Sequence, residues 1–75
     1  MSKTTERFGR AVRKLRIAKG FQSQETFAFA AKVDRRYYSR IERGKANVSY
    51  EILERLAAGL KISAAELVAA VETER

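Results

Sequence analysis

Across its 75 residues the chain contains neither cysteine nor histidine. Their joint absence excludes disulfides, Cys/His zinc sites, thiol nucleophiles and imidazole general bases, so neither a metal nor a cofactor is expected. Long apolar runs are missing too. No stretch approaches the roughly 18 to 20 residues of a membrane span, and Met1-Ser2-Lys3-Thr4-Thr5 has no apolar signal-peptide stretch. The expectation is a soluble cytoplasmic protein with no membrane partner. Pro-rich, Gly/Ser-rich and repetitive segments are also absent, which leaves no linker and one domain over residues 1–75. A chain this short buries only about 60% of its unfolded surface. It offers little room for an enzyme cleft, and Glu51 and Glu54, acids at i and i+3 on one helix face, are more simply solvating side chains.

What is present is positive charge, unevenly spread. The net charge is +7; residues 1–45 hold 13 Lys/Arg against 4 Asp/Glu, and residues 46–75 hold 3 against 5. A basic front and a slightly acidic rear point to a nucleic acid at the first and a protein, such as a second copy, at the second. An anionic membrane surface is the electrostatic alternative.

The periodicity predicts five helices and no sheet. Helix 1 is expected over about Glu6 to Lys19, with Thr4 or Thr5 as N-cap and Gly20 as its stop, so that Phe21 folds back near Leu15. Helix 2 is expected over about 24–31 after an N-cap at Ser23, with Phe27, Ala28 and Ala31 inward. The segment from Asp34 to Gly44 predicts a third helix over about 35–43. Wound at 3.6 residues per turn, it sets Val33, Tyr38 and Ile41 on one side and Arg35, Arg36, Ser39, Arg40 and Arg43 on the other. Arg35 and Arg36 in the first turn oppose the macrodipole at a few tenths of a kcal/mol each, a sign that a bound polyanion would reverse. A solvated arginine face is the alternative. Ser49 caps helix 4, with Ile52, Leu53, Leu56, Ala57 and Leu60 inward. Ser63 and Glu66 form a capping-box pattern before helix 5, which carries Leu67, Val68 and Val71. Residues Thr73 to Arg75 are expected to fray. The four glycines are read as lying between helices or near their ends.

Only Lys32 and Val33 join helices 2 and 3, which forces a steep crossing, the helix-turn-helix arrangement. The stretch Leu15-Arg16, Lys19-Gly20, Ser23-Gln24-Glu25, Phe27-Ala28, Ala31, Val33-Asp34-Arg35, Tyr37, Ser39-Arg40-Ile41-Glu42-Arg43-Gly44, Asn47 and Ser49 resembles the lambda-repressor-like, or XRE, family over residues 8–71. Within it, the run from Asp34 to Gly44 followed by Asn47 and Ser49 most resembles the small controller proteins of restriction–modification systems. Phage-type repressors and antidote-type regulators that bind a partner protein use similar spacing.

The resemblance implies an all-α, five-helix lambda-repressor-like domain that binds double-stranded DNA. It would act as a homodimeric transcription regulator on a partly palindromic operator or promoter, autoregulatory in the controller case, with RNA polymerase as a further partner. Arg35, Arg36, Ser39 and Arg40 are implied to contact bases, an arginine fork on guanine discriminating by about 1 to 3 kcal/mol. Ser23, Gln24, Tyr37, Arg43, Lys45 and Asn47 are implied to contact the DNA backbone; the alternatives are a solvated Gln24, a loop Lys45 and a purely packed Tyr37. Ile62, Val68 and Val71, with helices 4 and 5, are the candidate dimer interface unless they pack internally. Arg16 and Glu42 match a structural ion pair. The chain departs from the family at four places. It has an apparent extra residue at Gln22, Lys32 where glycine is common, Tyr38 where an aliphatic residue is usual, and Val48 where proline is common.

Overall fold

The computed structural model describes residues 3–74. They form five helices: α1 (Lys3–Ala18), α2 (Gln24–Ala31), α3 (Arg35–Glu42), α4 (Tyr50–Leu60) and α5 (Ala64–Thr73). No strand occurs among the described residues. Local chemistry accounts for most of the boundaries. Ser23, Asp34, Ser49 and Ser63 each accept a backbone N–H from the residue three positions on, and Ser63 and Glu66 complete a reciprocal capping box. Gly20, at φ 95°, ends α1, and the Phe21 N–H closes back on the Arg16 carbonyl at 3.1 Å.

Two residues with a Cβ occupy the same left-handed role. Lys32 ends α2 at φ 59°, ψ 43°, and Lys61 ends α4 at φ 60°, ψ 40°. Each is held by a backbone bond across the turn, Val33 N–H to Ala28 at 2.9 Å and Ile62 N–H to Ala57 at 3.0 Å. Both lysines thus carry the left-handed strain that a glycine, common in the family at position 32, would avoid.

The core gathers Val12, Phe27, Tyr38, Ile41, Leu56, Leu60 and Leu67, all essentially inaccessible. Phe27 is its hub, with ring centroids 5.1 Å from Phe21 and 5.2 Å from Tyr38. Each aromatic pair adds about 0.5–1.5 kcal/mol beyond area burial.

Four sequence expectations need correction. The first helix starts at Lys3, so Thr4 and Thr5 lie inside it and neither is its N-cap; Thr5 is buried and donates its hydroxyl to the Gly44 carbonyl at 2.9 Å. Gly9 and Gly59 sit inside helices, not between them. A Cβ on Gly9 would lie 2.7 Å from the Glu42 carbonyl oxygen, and one on Gly59 would lie 3.0 Å from the Ala31 Cβ, so both are points of close helix approach. Third, α3 stops at Glu42, with Arg43 as its cap, where a helix to about 43 was expected. Finally, Thr73 belongs to α5, and the Glu74 side chain is 8% exposed, bonded to Lys14 at 3.1 Å and Arg10 at 3.4 Å. These contacts tie the end of α5 to α1, where fraying was expected; Arg75 lies outside the described residues.

Candidate nucleic-acid interface

α3 turns its arginines into one groove. Gln24, Arg35, Arg36, Ser39, Arg40 and Arg43 line a surface depression of about 360 Å³ between the start of α2 and the length of α3. The amphipathic spacing explains it: the same winding that buries Tyr38 and Ile41 leaves positions 35, 36, 40 and 43 exposed. Among the described residues, no ion pair neutralises any of these four arginines. Asp34 and Glu42 are the acids nearest them in sequence; the Asp34 carboxylate caps the Tyr37 N–H at 3.0 Å, and the Glu42 carboxylate is taken by Arg16 at 2.7 Å. The groove thus concentrates uncompensated guanidinium groups, which are bidentate donors suited to phosphates and guanine edges.

The other implied contact residues fall into two groups. Arg40 Nη2 donates to the Lys45 carbonyl at 3.0 Å, and the Tyr37 hydroxyl donates to the Asn47 carbonyl at 2.6 Å. α3 therefore holds the loop after it, and the exposed side chains of Lys45 and Asn47 are carried beside the groove. Tyr37 is half-buried with its proton committed, leaving only the oxygen's acceptor capacity. Ser23 lies outside the groove wall. Its Oγ accepts from the Thr26 N–H at 3.0 Å and donates to Thr26 Oγ1 at 2.7 Å, so the hydroxyl proton a phosphate would need is already engaged.

Beneath the groove lies a buried polar network. Glu42, whose side chain is 2% exposed, accepts Arg16 Nε at 2.7 Å, Arg16 Nη2 at 3.4 Å, Gln24 Nε2 at 2.8 Å and the Tyr38 hydroxyl. Arg16 Nη1 donates to the Phe21 carbonyl at 2.7 Å. The Arg16–Glu42 pair expected from sequence is present, and its hydrogen bonds raise the Arg16 pKa further. Burial, and then the bond to Glu42, push the Tyr38 phenol well above its ordinary range. The extra residue Gln22 is exposed in the turn before α2, and Gln24 nonetheless reaches Glu42.

Sequence reasoning placed Tyr38 only as a core aromatic. The signal for its polar role was Glu42 one helical turn later, at i+4. It also missed Tyr50, 67% exposed, which lines a second and largely apolar depression of about 430 Å³ with Phe8, Val48, Leu53, Val68 and Val71. Of the three dimer candidates, Val68 is 42% exposed, Ile62 is half-buried, and Val71 is 8% exposed and belongs chiefly to the core. No residue is shared between the two depressions.

The helix-turn-helix family matches residues 12–67. The control protein C.MunI of Mycoplasma sp is 50% identical over 68 residues, covering 91% of this chain and 92% of that protein. The restriction-modification controller protein C.AhdI from Aeromonas hydrophila superposes with a TM-score of 0.79 at 46% identity, covering 84% of this chain and 94% of the other. The clp gene regulator ClgR from Corynebacterium glutamicum gives a TM-score of 0.84 at 31% identity over 95% of this chain and 74% of the other.

Proposed function

The chain belongs to the helix-turn-helix family of DNA-binding regulators, and from that premise we propose that it controls a restriction–modification operon as a homodimer on a partly palindromic operator. Similarity to the control protein C.MunI, 50% identical over 91% of this chain, and to the restriction-modification controller protein C.AhdI, 46% identical over 84% of it, supports the operon assignment. The observation that carries the DNA-binding mode is the groove of four unneutralised arginines on α3. Arg35, Arg36, Ser39 and Arg40 read base edges in the major groove, and Gln24, Arg43, Lys45 and Asn47 hold phosphates around it. Tyr37 contributes mainly by bracing the loop. Ser23 contributes by capping α2.

Dimerisation follows from size. Half-sites lie roughly 34 Å apart, one turn of the duplex, whereas the largest dimension of this protomer's backbone is 26 Å. Two copies are needed to occupy both. The apolar depression containing Val68 and Tyr50 is the surface on which they meet, with α4 and α5 as its frame. Occupancy then rises steeply with concentration, which makes the regulator sensitive to its own expression. RNA polymerase at the adjoining promoter is the second macromolecule this scheme involves. Among the described residues no helix is long and apolar enough to cross a membrane, which suits action on cytoplasmic DNA.

Footprinting on the DNA upstream of the chain's own coding region tests the proposal. Protection of two related half-sites is the expected result. Uniform protection, or affinity no greater than for random duplex, would overturn it. If the dimer neutralises about six to eight phosphates, affinity also falls by roughly 10³ or more between about 50 and 200 mM salt.

A further inference from the structure

Glu42 collects donors from three helices, and only one of those donors also lines the basic groove. Its Oε2 takes Arg16 Nε at 2.7 Å together with the Tyr38 hydroxyl. Its Oε1 takes Gln24 Nε2 at 2.8 Å and, more weakly, Arg16 Nη2 at 3.4 Å. An ionised carboxylate only accepts, so the Gln24 amide must turn its nitrogen toward Glu42. Because Gln24 also lines the groove, its second N–H and carbonyl oxygen are the groups it can offer there.

We propose that Tyr38 is a positioning residue for the DNA-backbone contact: its hydroxyl occupies Glu42 Oε2, confines Gln24 to Oε1, and so presents the second Gln24 N–H to a phosphate. This rests on the DNA-binding function proposed above. Tyr38 is fully buried and reaches no nucleic acid itself. An aliphatic side chain there would leave a lone pair on Oε2 open. The Gln24 amide would then have two acceptors to choose between, and part of its ordering would have to occur on binding DNA. With the phenol present that ordering precedes binding, which favours affinity without adding a contact. The phenol is also a dependable donor, because burial disfavours its ionised form.

The test is a double-mutant cycle on DNA affinity, using Tyr38→Phe, Gln24→Ala and the double variant of the full chain with an operator duplex at fixed salt. Affinity is scored per active protomer by stoichiometric titration, so that partial unfolding does not imitate weak binding. Gln24→Ala is expected to weaken binding by roughly 3- to 10-fold, one hydrogen bond's worth. Tyr38→Phe should weaken it by a smaller factor, and the double variant should bind no worse than Gln24→Ala alone. Side-chain amide NMR of the free protein gives a reading that needs no DNA. The chain has two glutamines and one asparagine, so the Gln24 pair is readily assigned. It should exchange slowly in the wild type and faster in Tyr38→Phe. Multiplicative losses in the cycle, or a Gln24 amide indifferent to Tyr38→Phe, would overturn the proposal. Failure of the wild type to bind the duplex would instead remove the DNA-binding function, with the amide measurement still deciding whether Tyr38 orders Gln24.

Discussion

Replacing Glu42 by alanine should unfold most of the domain's cooperative structure under mild heating, even though the residue lies directly beneath the basic groove proposed to bind DNA. The side chain is 2% exposed and accepts four hydrogen bonds from Arg16, Gln24 and Tyr38. Arg16 is 6% exposed, and without Glu42 it keeps only the Nη1 bond to the Phe21 carbonyl. Its Nε and Nη2 are then stranded with a full positive charge. Breaking a buried pair from one side costs about 3–5 kcal/mol. A domain of this size holds roughly 4–11 kcal/mol in total at about 0.05–0.15 kcal/mol per residue. At about 4–8 °C per kcal/mol for small domains, the melting temperature should fall by some 12–40 °C. Thermal melts followed by far-ultraviolet circular dichroism measure this directly. The double variant Arg16→Met/Glu42→Leu removes both charges and should recover much of the loss, because the cost lies in the stranded guanidinium. A Glu42→Ala melt within about 4 °C of the wild type would refute the assignment of this pair to a desolvated site.

Lys32→Gly should stabilise the fold by about 1 kcal/mol, since Lys32 holds φ 59° and the left-handed region disfavours a Cβ; urea titration checks it, and a lower midpoint would show that the lysine stem contributes more than the strain costs. The pH dependence follows from Tyr38, whose folded pKa is raised above the unfolded 10.0. Its stabilising effect is fully present below about pH 10 and declines as the pH climbs beyond it, because the unfolded chain then sheds a proton that the folded chain retains. Tyr38→Phe should therefore lose less stability between neutral and strongly alkaline pH, and parallel pH curves for the two proteins would contradict this. Val68→Glu should leave the protomer folded, because Val68 is 42% exposed, but should give a monomer by sedimentation that binds the operator poorly; an unchanged sedimentation profile would move the dimer surface elsewhere.

The segments that could be read from sequence are those whose causes are local. Ser23, Asp34, Ser49 and Ser63 cap within three residues of themselves, and helical spacing alone put Tyr38 and Ile41 opposite Arg36 and Arg40. The Arg16–Glu42 pair was legible only through resemblance, since nothing local connects positions 26 apart. The start of α1 was misplaced for a related reason. Thr5 has the residue type of an N-cap, but its hydroxyl goes to Gly44, 39 residues away.

By itself, then, the sequence determined the number of helices, the N-caps of α2 to α5 and the basic face of α3. All of these depend on the period of the helix and the reach of a side chain along its own turn. Tertiary structure alone decided which arginines share a groove with Gln24, that Gly9 is where α1 meets the end of α3, and that Glu74 is held against α1. It also turned Tyr38 from a core aromatic into a donor to Glu42 in a network with Gln24 and Arg16. Those outcomes depend on which helices approach one another and how closely, and neighbours along the chain do not encode that distance.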